Sequence, residues 1–252
     1  MKQRIKTALR NSLLAIPYFS RQHNYYNNVL ADPFVGWTRI GIPGWCDNSN
    51  IKMLDYCMRH IPAGAVIEIG SFCGLSTGII SHTLRRYGKQ NPFFSMDDWQ
   101  FEGFIDTGSV SNVFTHNDWS AYTENLFKLS TALTTKGINH SHIKVQSNEF
   151  FNLWSSANTV TDLAGRNVLL GGEIAFAYID GDHSYAQAKQ DFLNIDKFLA
   201  PGGYIFFDDS ANNSKFGCHK VALEVKELPA YKHIYKRFIA RGNTANYCFQ
   251  KK

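Results

Sequence analysis

The sequence predicts an α/β protein built on a mostly parallel sheet with helices on both faces. Two observations support this prediction. Short apolar runs typical of buried strands alternate with longer segments whose apolar residues recur at helical spacing, which is the pattern of successive βαβ units. Acidic or glycine-rich stretches directly follow several of these runs, and in such sheets ligands bind beyond the carboxyl ends of the strands.

The first βα unit begins at "AVIEIG" (65–70), a short apolar strand run. A helix is predicted to follow it, because the apolar residues of "LSTGIISHTLRRYG" recur at helical spacing. These residues are Ile79, Ile80, Leu84 and Tyr87. "PFFSMDDW" (92–99) predicts the second strand.

The middle of the chain predicts a loop, a helix and a third strand. Residues 100–117 show no clear period and predict the loop. The helix follows, with Asp118 as its expected N-cap and Gly137 as its end. "HIKVQSN" (142–148) predicts the strand, and a short helix is expected at "EFFNLWSSA" (149–157).

The next βαβ unit begins with "IAFAYID" (174–180), a run that predicts a buried strand. A helix is expected from about Tyr185 to Leu199, closed by "PGG" (201–203). "YIFFDDS" (204–210) then predicts another strand, which ends in two adjacent acids.

The two ends of the chain add to this core. Residues 231–252 predict two antiparallel strands joined at "RGNT", a hairpin that finishes the sheet. The first 60 residues, rich in Pro, Gly and Trp towards their end, predict an N-terminal cap of helices and loops. The expected division is therefore a cap of residues 1–60 and a main domain of residues 61–252.

Composition limits the possible functions. Of the 252 residues, 44% are hydrophobic and 14% aromatic, which is enough for a substantial core. The net charge of +5 is modest and mostly dispersed, so we expect no nucleic-acid partner. Five widely spaced cysteines form no C-x-x-C pair and predict neither disulfides nor a zinc site, which favours a cytoplasmic location. They are Cys46, Cys57, Cys73, Cys218 and Cys248.

The N-terminus is basic, with no acid before Asp32, and its apolar residues recur near helical spacing. This pattern predicts an amphipathic helix, packed either on the protein or a partner subunit, or on a membrane surface. Its apolar stretch is shorter than the core of a signal peptide, and no run of the sequence is long enough to span a membrane. We therefore expect no transmembrane segment. Packing of this helix on a partner subunit would give a homo-oligomer.

A glycine-rich stretch, "EIGSFCGLST" (68–77), follows the first strand. A strand, a glycine-rich turn and a helix in this order bring a ligand against the N–H groups of a helix N-terminus, although a simple tight turn gives the same pattern. The spacing is G-x-x-x-G, not the G-x-G-x-x-G of dinucleotide-binding proteins. It resembles the first motif of class I S-adenosylmethionine-dependent methyltransferases. That resemblance implies a cofactor site at Glu68, Gly70, Ser71, Gly74 and Ser76.

Two later strand ends are expected to complete this site. One carboxylate is well matched to the two ribose hydroxyls of the cofactor, and by position we choose Asp97 over Asp98, which we interpret as a cap or a solvated charge. Ser147, with Asn148, closes the third predicted strand. Either a contact to the adenine or a turn explains these two residues.

Three acids follow two predicted neighbouring strands: Asp180, Asp208 and Asp209. Carboxylates that converge on one rim repel one another unless a cation lies between them. Oxygen ligands of this kind suit a hard divalent ion, so we expect Mg²⁺ or a similar ion there. Without a metal, at least one of these carboxyls should have a strongly raised pKa.

The stretch "IDGDHSYAQAKQDFLNIDKFLAPGGYIFFDD" closely resembles a pattern of the macrocin O-methyltransferase-like family of metal-dependent sugar O-methyltransferases. The likeness extends over about residues 65–228. It implies a Rossmann-like class I methyltransferase fold with a mostly parallel seven-stranded sheet and a C-terminal antiparallel hairpin. It also implies Asp180, Asp208 and Asp209 as metal ligands and His183 as general base, with Asp97 as the ribose-binding acid.

The chemistry agrees with this resemblance. A neutral hydroxyl is a poor nucleophile; a metal lowers its pKa, and an imidazole with a pKa near neutrality can accept its proton. His183 alternatively bonds a backbone group at a helix N-terminus. We expect Asp182 to cap the following helix and Asp191 to be a helix-surface charge or salt-bridge partner. Tyr185 either packs or lines the site.

The sequence therefore predicts a Mg²⁺- and S-adenosylmethionine-dependent O-methyltransferase that acts on a hydroxyl of a sugar or sugar-bearing small molecule. Four tryptophans in or beside the irregular segments mark where an acceptor is expected, with core packing as the default for any one of them. They are Trp37, Trp45, Trp99 and Trp119. Two alternatives remain: a catechol-type O-methyltransferase acting on an aromatic diol, and a non-catalytic partner-binding module that retains the fold.

Overall fold

A computed structural model describes residues 28–100, 115–212, 214–234 and 245–252 of the chain. After a short 3₁₀ turn at Val29–Ala31, the helices are α1 (Pro33–Gly41), α2 (Asn48–His60), α3 (Leu75–Arg86), α4 (His116–Thr134), α5 (Ser147–Ser155), α6 (Tyr185–Asp196) and α7 (Gly217–Lys226). The strands are β1 (Ala65–Ile69), β2 (Phe93–Met96), β3 (His140–Ile143), β4 (Thr159–Thr161), β5 (Asn167–Leu169), β6 (Ile174–Ile179), β7 (Leu199–Phe207), β8 (Tyr231–His233) and β9 (Cys248–Lys251).

Seven of these strands form one sheet in the order β3-β2-β1-β6-β7-β9-β8. The first five are parallel, and β9 runs antiparallel to both β7 and β8. This arrangement confirms the predicted fold, including the antiparallel C-terminal pair. From β1 the chain first winds outward to β2 and β3, and it then returns to β6 on the other side of β1. The sheet therefore changes winding direction between β1 and β6, which is where open α/β sheets bind ligands.

The central strands are buried along their whole length, because helices cover both faces of the parallel part of the sheet. On one face, Ile51 and Leu54 of α2 share an apolar cluster with Ile79 and Ile80 of α3. The described part of the predicted cap, residues 28–60, thus contributes to the main hydrophobic core.

Several predicted boundaries were wrong. The helix expected to start at Asp118 begins at His116, because Thr115 is its N-cap and Asp118 completes a capping box by accepting a hydrogen bond from the Thr115 N–H at 2.9 Å. The "PGG" stretch lies inside β7 instead of closing α6, since that helix already ends at Asp196. The third strand, β3, is His140–Ile143 and not 142–148, so Ser147 and Asn148 do not close it but begin α5.

Helix α7 and one hairpin were not predicted, and three predicted elements lie outside the described residues. A small antiparallel hairpin of β4 and β5 separates α5 from β6. The basic N-terminal segment, most of the predicted 100–117 loop and the "RGNT" turn belong to the residues that the structure does not describe. None of the described helices combines the length and the apolarity needed to cross a membrane.

Candidate active site

The registers of three central strands bring the predicted site residues to one edge of the sheet. Ile69 of β1 pairs with Ile179 of β6, and Ile179 pairs with Phe207 of β7. The next residue of each strand therefore emerges at the same level. The Asp180 N–H donates to the Ile69 carbonyl and the Asp208 N–H to the Ile179 carbonyl, both at 2.9 Å. The acids and the glycine-rich turn thus share one rim.

The two glycines of the turn are required by its own packing. Gly70 and Gly74 have positive φ angles of 81° and 90°. A Cβ at Gly70 would lie 2.1 Å from the Asp180 carbonyl oxygen, and one at Gly74 would lie 2.7 Å from Ser130 Oγ. The close approach of neighbouring atoms within the fold is therefore a structural reason for both glycines. Gly74 also caps α3 without a side-chain hydrogen bond, so no side chain caps the first N–H groups of the helix.

Asp97 lies at the end of β2 and is bonded to this turn. Its carboxylate accepts hydrogen bonds from the N–H groups of Ser71 at 2.8 Å, Phe72 at 2.9 Å and Trp99 at 2.8 Å. Burial raises the pKa of Asp97, and these three bonds oppose the rise by favouring the charged form. The neighbouring Asp98 accepts only from the Gln100 N–H, at 3.1 Å, among the contacts of the described chain.

Glu68 is fully buried beneath the turn. The Thr77 hydroxyl donates to Oε2 at 2.5 Å, while Oε1 has no hydrogen-bond partner within the described structure. Burial raises the pKa of Glu68 to about 7. A buried carboxylate with one unpaired oxygen fits a cationic donor such as the amino group of an amino-acid cofactor.

The raised pKa of Glu68 predicts a pH-dependent stability. Between about pH 4.5 and 7 the folded state binds more protons at this site than the unfolded chain, so the free energy of unfolding falls as the pH rises through that window. The loss is at most about 3 kcal/mol. Glu68→Gln, which does not titrate, should remove this component. Urea unfolding at about pH 5 and about pH 8 checks it, and parallel profiles of parent and variant would contradict the assignment.

The three acids at this edge of the sheet, Asp180, Asp208 and Asp209, are called the rim acids. His183 lies between two of them. Its Nε2 is 3.5 Å from Asp180 Oδ1, and its Nδ1 is 3.5 Å from Asp209 Oδ2. The ring also packs on Phe216, with 4.8 Å between the ring centroids. Nε2 is buried and makes no hydrogen bond within the described residues. This nitrogen is therefore not bonded to a backbone group of the described chain, as the alternative interpretation would require.

Asp180 is electrostatically strained by the two acids beside it, Asp208 and Asp209. The pKa of Asp180 is raised well above its ordinary value, first by burial and then by the charges of Asp208 and Asp209. The Asp208 carboxylate lies within hydrogen-bonding reach of Asp180. This repulsion fits a cation. Among the described residues, however, no group of three or more His, Cys, Asp and Glu side chains has the arrangement of a metal site.

Asp208 is held by donors that the sequence analysis missed. Asn50 Nδ2 donates to its Oδ1 at 2.7 Å, the Tyr178 hydroxyl donates to its Oδ2 at 2.6 Å, and Asn246 Nδ2 donates to Oδ1. Asp209 follows with a positive φ of 45°, and its N–H donates to Asp208 Oδ1 at 2.9 Å. Asn50 and Asn246 are remote from Asp208 in the chain and belong to no motif, so no sequence signal indicates them.

The region after β6 differs from two expectations. Ser184, not Asp182, is the N-cap of α6, and Asp182 instead accepts from the Ser184 N–H at 2.8 Å. Asp191 is completely buried, not a helix-surface charge, and burial raises its pKa to about 6. Asp191 accepts a hydrogen bond from the Ser147 hydroxyl at 2.6 Å. Ser147, the residue predicted to contact the adenine, is therefore hydrogen-bonded to a side chain of α6. Tyr185 is exposed.

Aromatic side chains lie beside the turn. Trp45 is 84% exposed, and its ring centroid is 5.7 Å from that of Phe72, which is 6.0 Å from that of Trp119. Trp99, by contrast, is buried. A pocket of about 270 Å³ next to the turn is lined by Arg39, Gly44, Trp45, Cys46, Asp47 and Leu75.

Comparison with known proteins points in one direction. A family model described as a methyltransferase domain matches residues 67–210, which is more than half of the chain and includes both the turn and the rim acids. No curated protein matches the sequence. Solved structures share the fold, at identities too low to show more than that.

Three such structures illustrate the likeness. Cofactor-bound Rv0187 from MTB has a TM-score of 0.57 and 13% identity, with 87% of this chain and 89% of that one covered. CalS11, described as a TDP-rhamnose 3'-O-methyltransferase of calicheamicin biosynthesis, has a TM-score of 0.52 and 16% identity, covering 81% and 78%. An O-methyltransferase from Bacillus cereus in complex with SAH has a TM-score of 0.51 and 12% identity, covering 88% and 91%.

Proposed function

The chain belongs to the family of methyltransferase domains, and from this premise we propose that it is an S-adenosylmethionine-dependent O-methyltransferase with a divalent cation, Mg²⁺ by preference, at its rim. The observation that carries the proposal is the meeting of the glycine-rich turn with Asp180, His183 and Asp209 at the switch point of the sheet. There, the cofactor site and the groups that would activate an acceptor are adjacent.

The cofactor site proposed is the turn, the end of β2 and the start of α5. The uncapped N-terminus of α3 favours the cofactor's carboxylate, and the unpaired oxygen of Glu68 favours its amino group. Asp97 takes the ribose hydroxyls and Ser147 the adenine edge. The remaining contacts are assigned to Gly70, Ser71, Gly74 and Ser76. Among the similar structures, Rv0187 is cofactor-bound and the Bacillus cereus O-methyltransferase is in complex with SAH.

The rim proposed for catalysis consists of Asp180, Asp208 and Asp209 as cation ligands and His183 as base. Held by these carboxylates, a divalent cation would supply acidification of the acceptor hydroxyl and would relieve the repulsion that, after burial, raises the pKa of Asp180. His183 takes the hydroxyl proton on a ring nitrogen. The acceptor oxygen forms its bond to the methyl carbon as the carbon–sulfur bond breaks, leaving S-adenosylhomocysteine.

The acceptor proposed is a hydroxyl of a sugar or sugar-bearing small molecule. One similar structure is described as a TDP-rhamnose methyltransferase, which makes this substrate class the first to try. The exposed Trp45 offers a face for a sugar ring next to the turn. The pKa of the buried Cys46 is raised first by burial and then by Asp208 and Asp180, so the pocket beside Trp45 is electrostatically close to the rim.

The test is calorimetric titration with S-adenosylmethionine and S-adenosylhomocysteine, in Mg²⁺ and then in a chelator. Binding of either, followed by transfer of a labelled methyl group to nucleotide sugars, supports the proposal. Transfer to catechols instead would show that the acceptor is an aromatic diol and not a sugar. Absence of cofactor binding in both conditions would contradict a catalytic function and favour a partner-binding module.

Asp97→Ala tests the cofactor site directly. Loss of a hydrogen-bonded carboxylate is expected to weaken S-adenosylhomocysteine binding by about 10- to 100-fold, since bonds to charged groups contribute about 1.5–3 kcal/mol. Asp98→Ala, one residue away, is the matched control and should bind like the parent. Calorimetry measures both. Equal losses in the two variants would show that the effect comes from the loop and not from the Asp97 carboxylate.

A further inference from the structure

Two residues beside the proposed cofactor site have a strained backbone and are hydrogen-bonded to each other. Phe72, in the glycine-rich turn, has a φ of 44°, and Trp99, just after Asp97 and Asp98, has a φ of 52°. The Trp99 indole N–H donates to the Phe72 carbonyl at 2.9 Å. Positive φ angles are unfavourable for residues with a Cβ and persist only where the surrounding structure enforces them. The indole bond is one contact that can enforce the conformation of the turn.

The same two residues hold both oxygens of the Asp97 carboxylate. The Trp99 main-chain N–H donates to Oδ1 at 2.8 Å, and the Phe72 N–H donates to Oδ2 at 2.9 Å. With the indole bond, these contacts form a closed ring of three hydrogen bonds among Phe72, Asp97 and Trp99. Each bond of such a ring restricts the other two, so the orientation of the carboxylate depends on the indole bond as well.

The Trp99 side chain has little freedom to release this bond. Trp99 is only 1% exposed, and its ring stacks on that of His142, with 4.8 Å between the centroids and 25° between the planes. The Phe127 ring lies 5.4 Å from it, and the Ser120 hydroxyl donates to the Trp99 carbonyl. At this burial, water does not replace the indole as a donor. Removing the indole N–H would therefore take this partner from the Phe72 carbonyl without compensation.

We propose that Trp99 is a positioning residue: its indole N–H holds the strained Phe72, and through it the Asp97 carboxylate, in the orientation that binds the ribose of the cofactor. The inference rests on the proposed function, because it assumes that Asp97 takes the ribose hydroxyls. Trp99 then serves the cofactor site and not the acceptor, for which its burial leaves no exposed ring face.

Trp99→Phe tests this role, because it keeps an aromatic ring and removes the indole donor. Trp154→Phe is the matched control. Trp154 is also 1% exposed, and its indole N–H also donates to a main-chain carbonyl, that of Gly172, at 3.1 Å. Calorimetric titration with S-adenosylhomocysteine and thermal unfolding are measured on the full-length parent, on both variants, on Asp97→Ala and on the double variant Trp99→Phe/Asp97→Ala.

S-adenosylhomocysteine affinity is expected to fall about 5- to 10-fold in Trp99→Phe, the effect of one neutral hydrogen bond, and to stay at the parent's value in Trp154→Phe. Both variants lose the same side-chain volume, so a lower melting temperature is expected in both. In the Asp97→Ala background, Trp99→Phe should weaken binding no further, because the indole acts through the carboxylate. A merely structural role of Trp99 would instead weaken binding by the same factor in both backgrounds.

Three results would overturn the inference: a folded Trp99→Phe with an affinity within about threefold of the parent, an equal loss in Trp154→Phe, or an equal loss with and without the Asp97 carboxylate. If Trp99→Phe does not fold, benzothienylalanine at position 99 decides by the same criteria, since it keeps the bicyclic shape and lacks the donor.

The parent protein and Asp97→Ala separate this inference from the proposed function. A parent that does not bind S-adenosylhomocysteine overturns the proposed function, and the positioning role with it. If Asp97→Ala binds like the parent, the ribose assignment and the positioning role fail together. A loss in Asp97→Ala without a loss in Trp99→Phe leaves the cofactor site intact and overturns the positioning role alone.

Discussion

Replacing His183 by alanine is expected to lower the rate of methyl transfer by about 10²- to 10⁴-fold, the range that a general base contributes. The imidazole is placed for this role, because its two ring nitrogens each lie 3.5 Å from a rim acid, Asp180 on one side and Asp209 on the other. Its Nε2 has no hydrogen-bond partner within the described residues, so that nitrogen is not committed to holding the fold.

Two measurements separate catalysis from structure in this variant. S-adenosylhomocysteine affinity should stay close to that of the parent, since no hydrogen bond or ion pair among the described residues joins His183 to the turn that is proposed to bind it. His183→Gln, which keeps a polar side chain but accepts no proton near neutrality, should lose as much rate as His183→Ala. His60→Ala, at the exposed end of α2, is the control. If affinity and rate fall equally, or if the glutamine variant retains activity, His183 is not the base.

The fold was predictable because its central strands are locally unambiguous. The apolar runs at 65–70 and 174–180 are buried on both faces, and such strands have a continuous apolar pattern. Elements that depend on partners elsewhere were not predictable. The "PGG" stretch lies inside β7 because strand pairing continues before and after it: Leu199 pairs with Ile174 of β6, and after a register shift Tyr204 pairs with Phe176 of β6. Pro and Gly in a strand often mark such an irregularity.

The same distinction applies to the site. Asp180 and Asp208 could be placed on one rim from the sequence, because the carboxyl ends of parallel strands share an edge. Asn50 and Asn246 could not, because the 158 and 38 residues that separate them from Asp208 are bridged only by the folded chain. The burial of Asp191 was missed for a similar reason. Its position in a predicted helix does not indicate that the Ser147 hydroxyl, on another helix, is close enough to donate a hydrogen bond to it.

Gly70→Ala is expected to destabilise the protein by at least about 3 kcal/mol, or to prevent folding, because two costs add. The first is the positive φ of 81°, which costs a residue with a Cβ about 1–2 kcal/mol. The second is steric: the new Cβ would lie 2.1 Å from the Asp180 carbonyl oxygen and 2.6 Å from its carbonyl carbon. Both are backbone atoms of the neighbouring strand end, so no side-chain rotation relieves the contact.

Gly137→Ala isolates the first cost. Gly137 has a φ of 80°, almost the same as that of Gly70, but a Cβ there would meet nothing within 4 Å. This control should lose only about 1–2 kcal/mol by urea unfolding. The difference between the variants then measures how rigidly the ends of β1 and β6 are held together. If Gly70→Ala were no less stable than Gly137→Ala, the strand ends would separate at little cost. The rim could not then hold Asp180 against the repulsion of Asp208 and Asp209, and the proposed geometry of catalysis would fail with it.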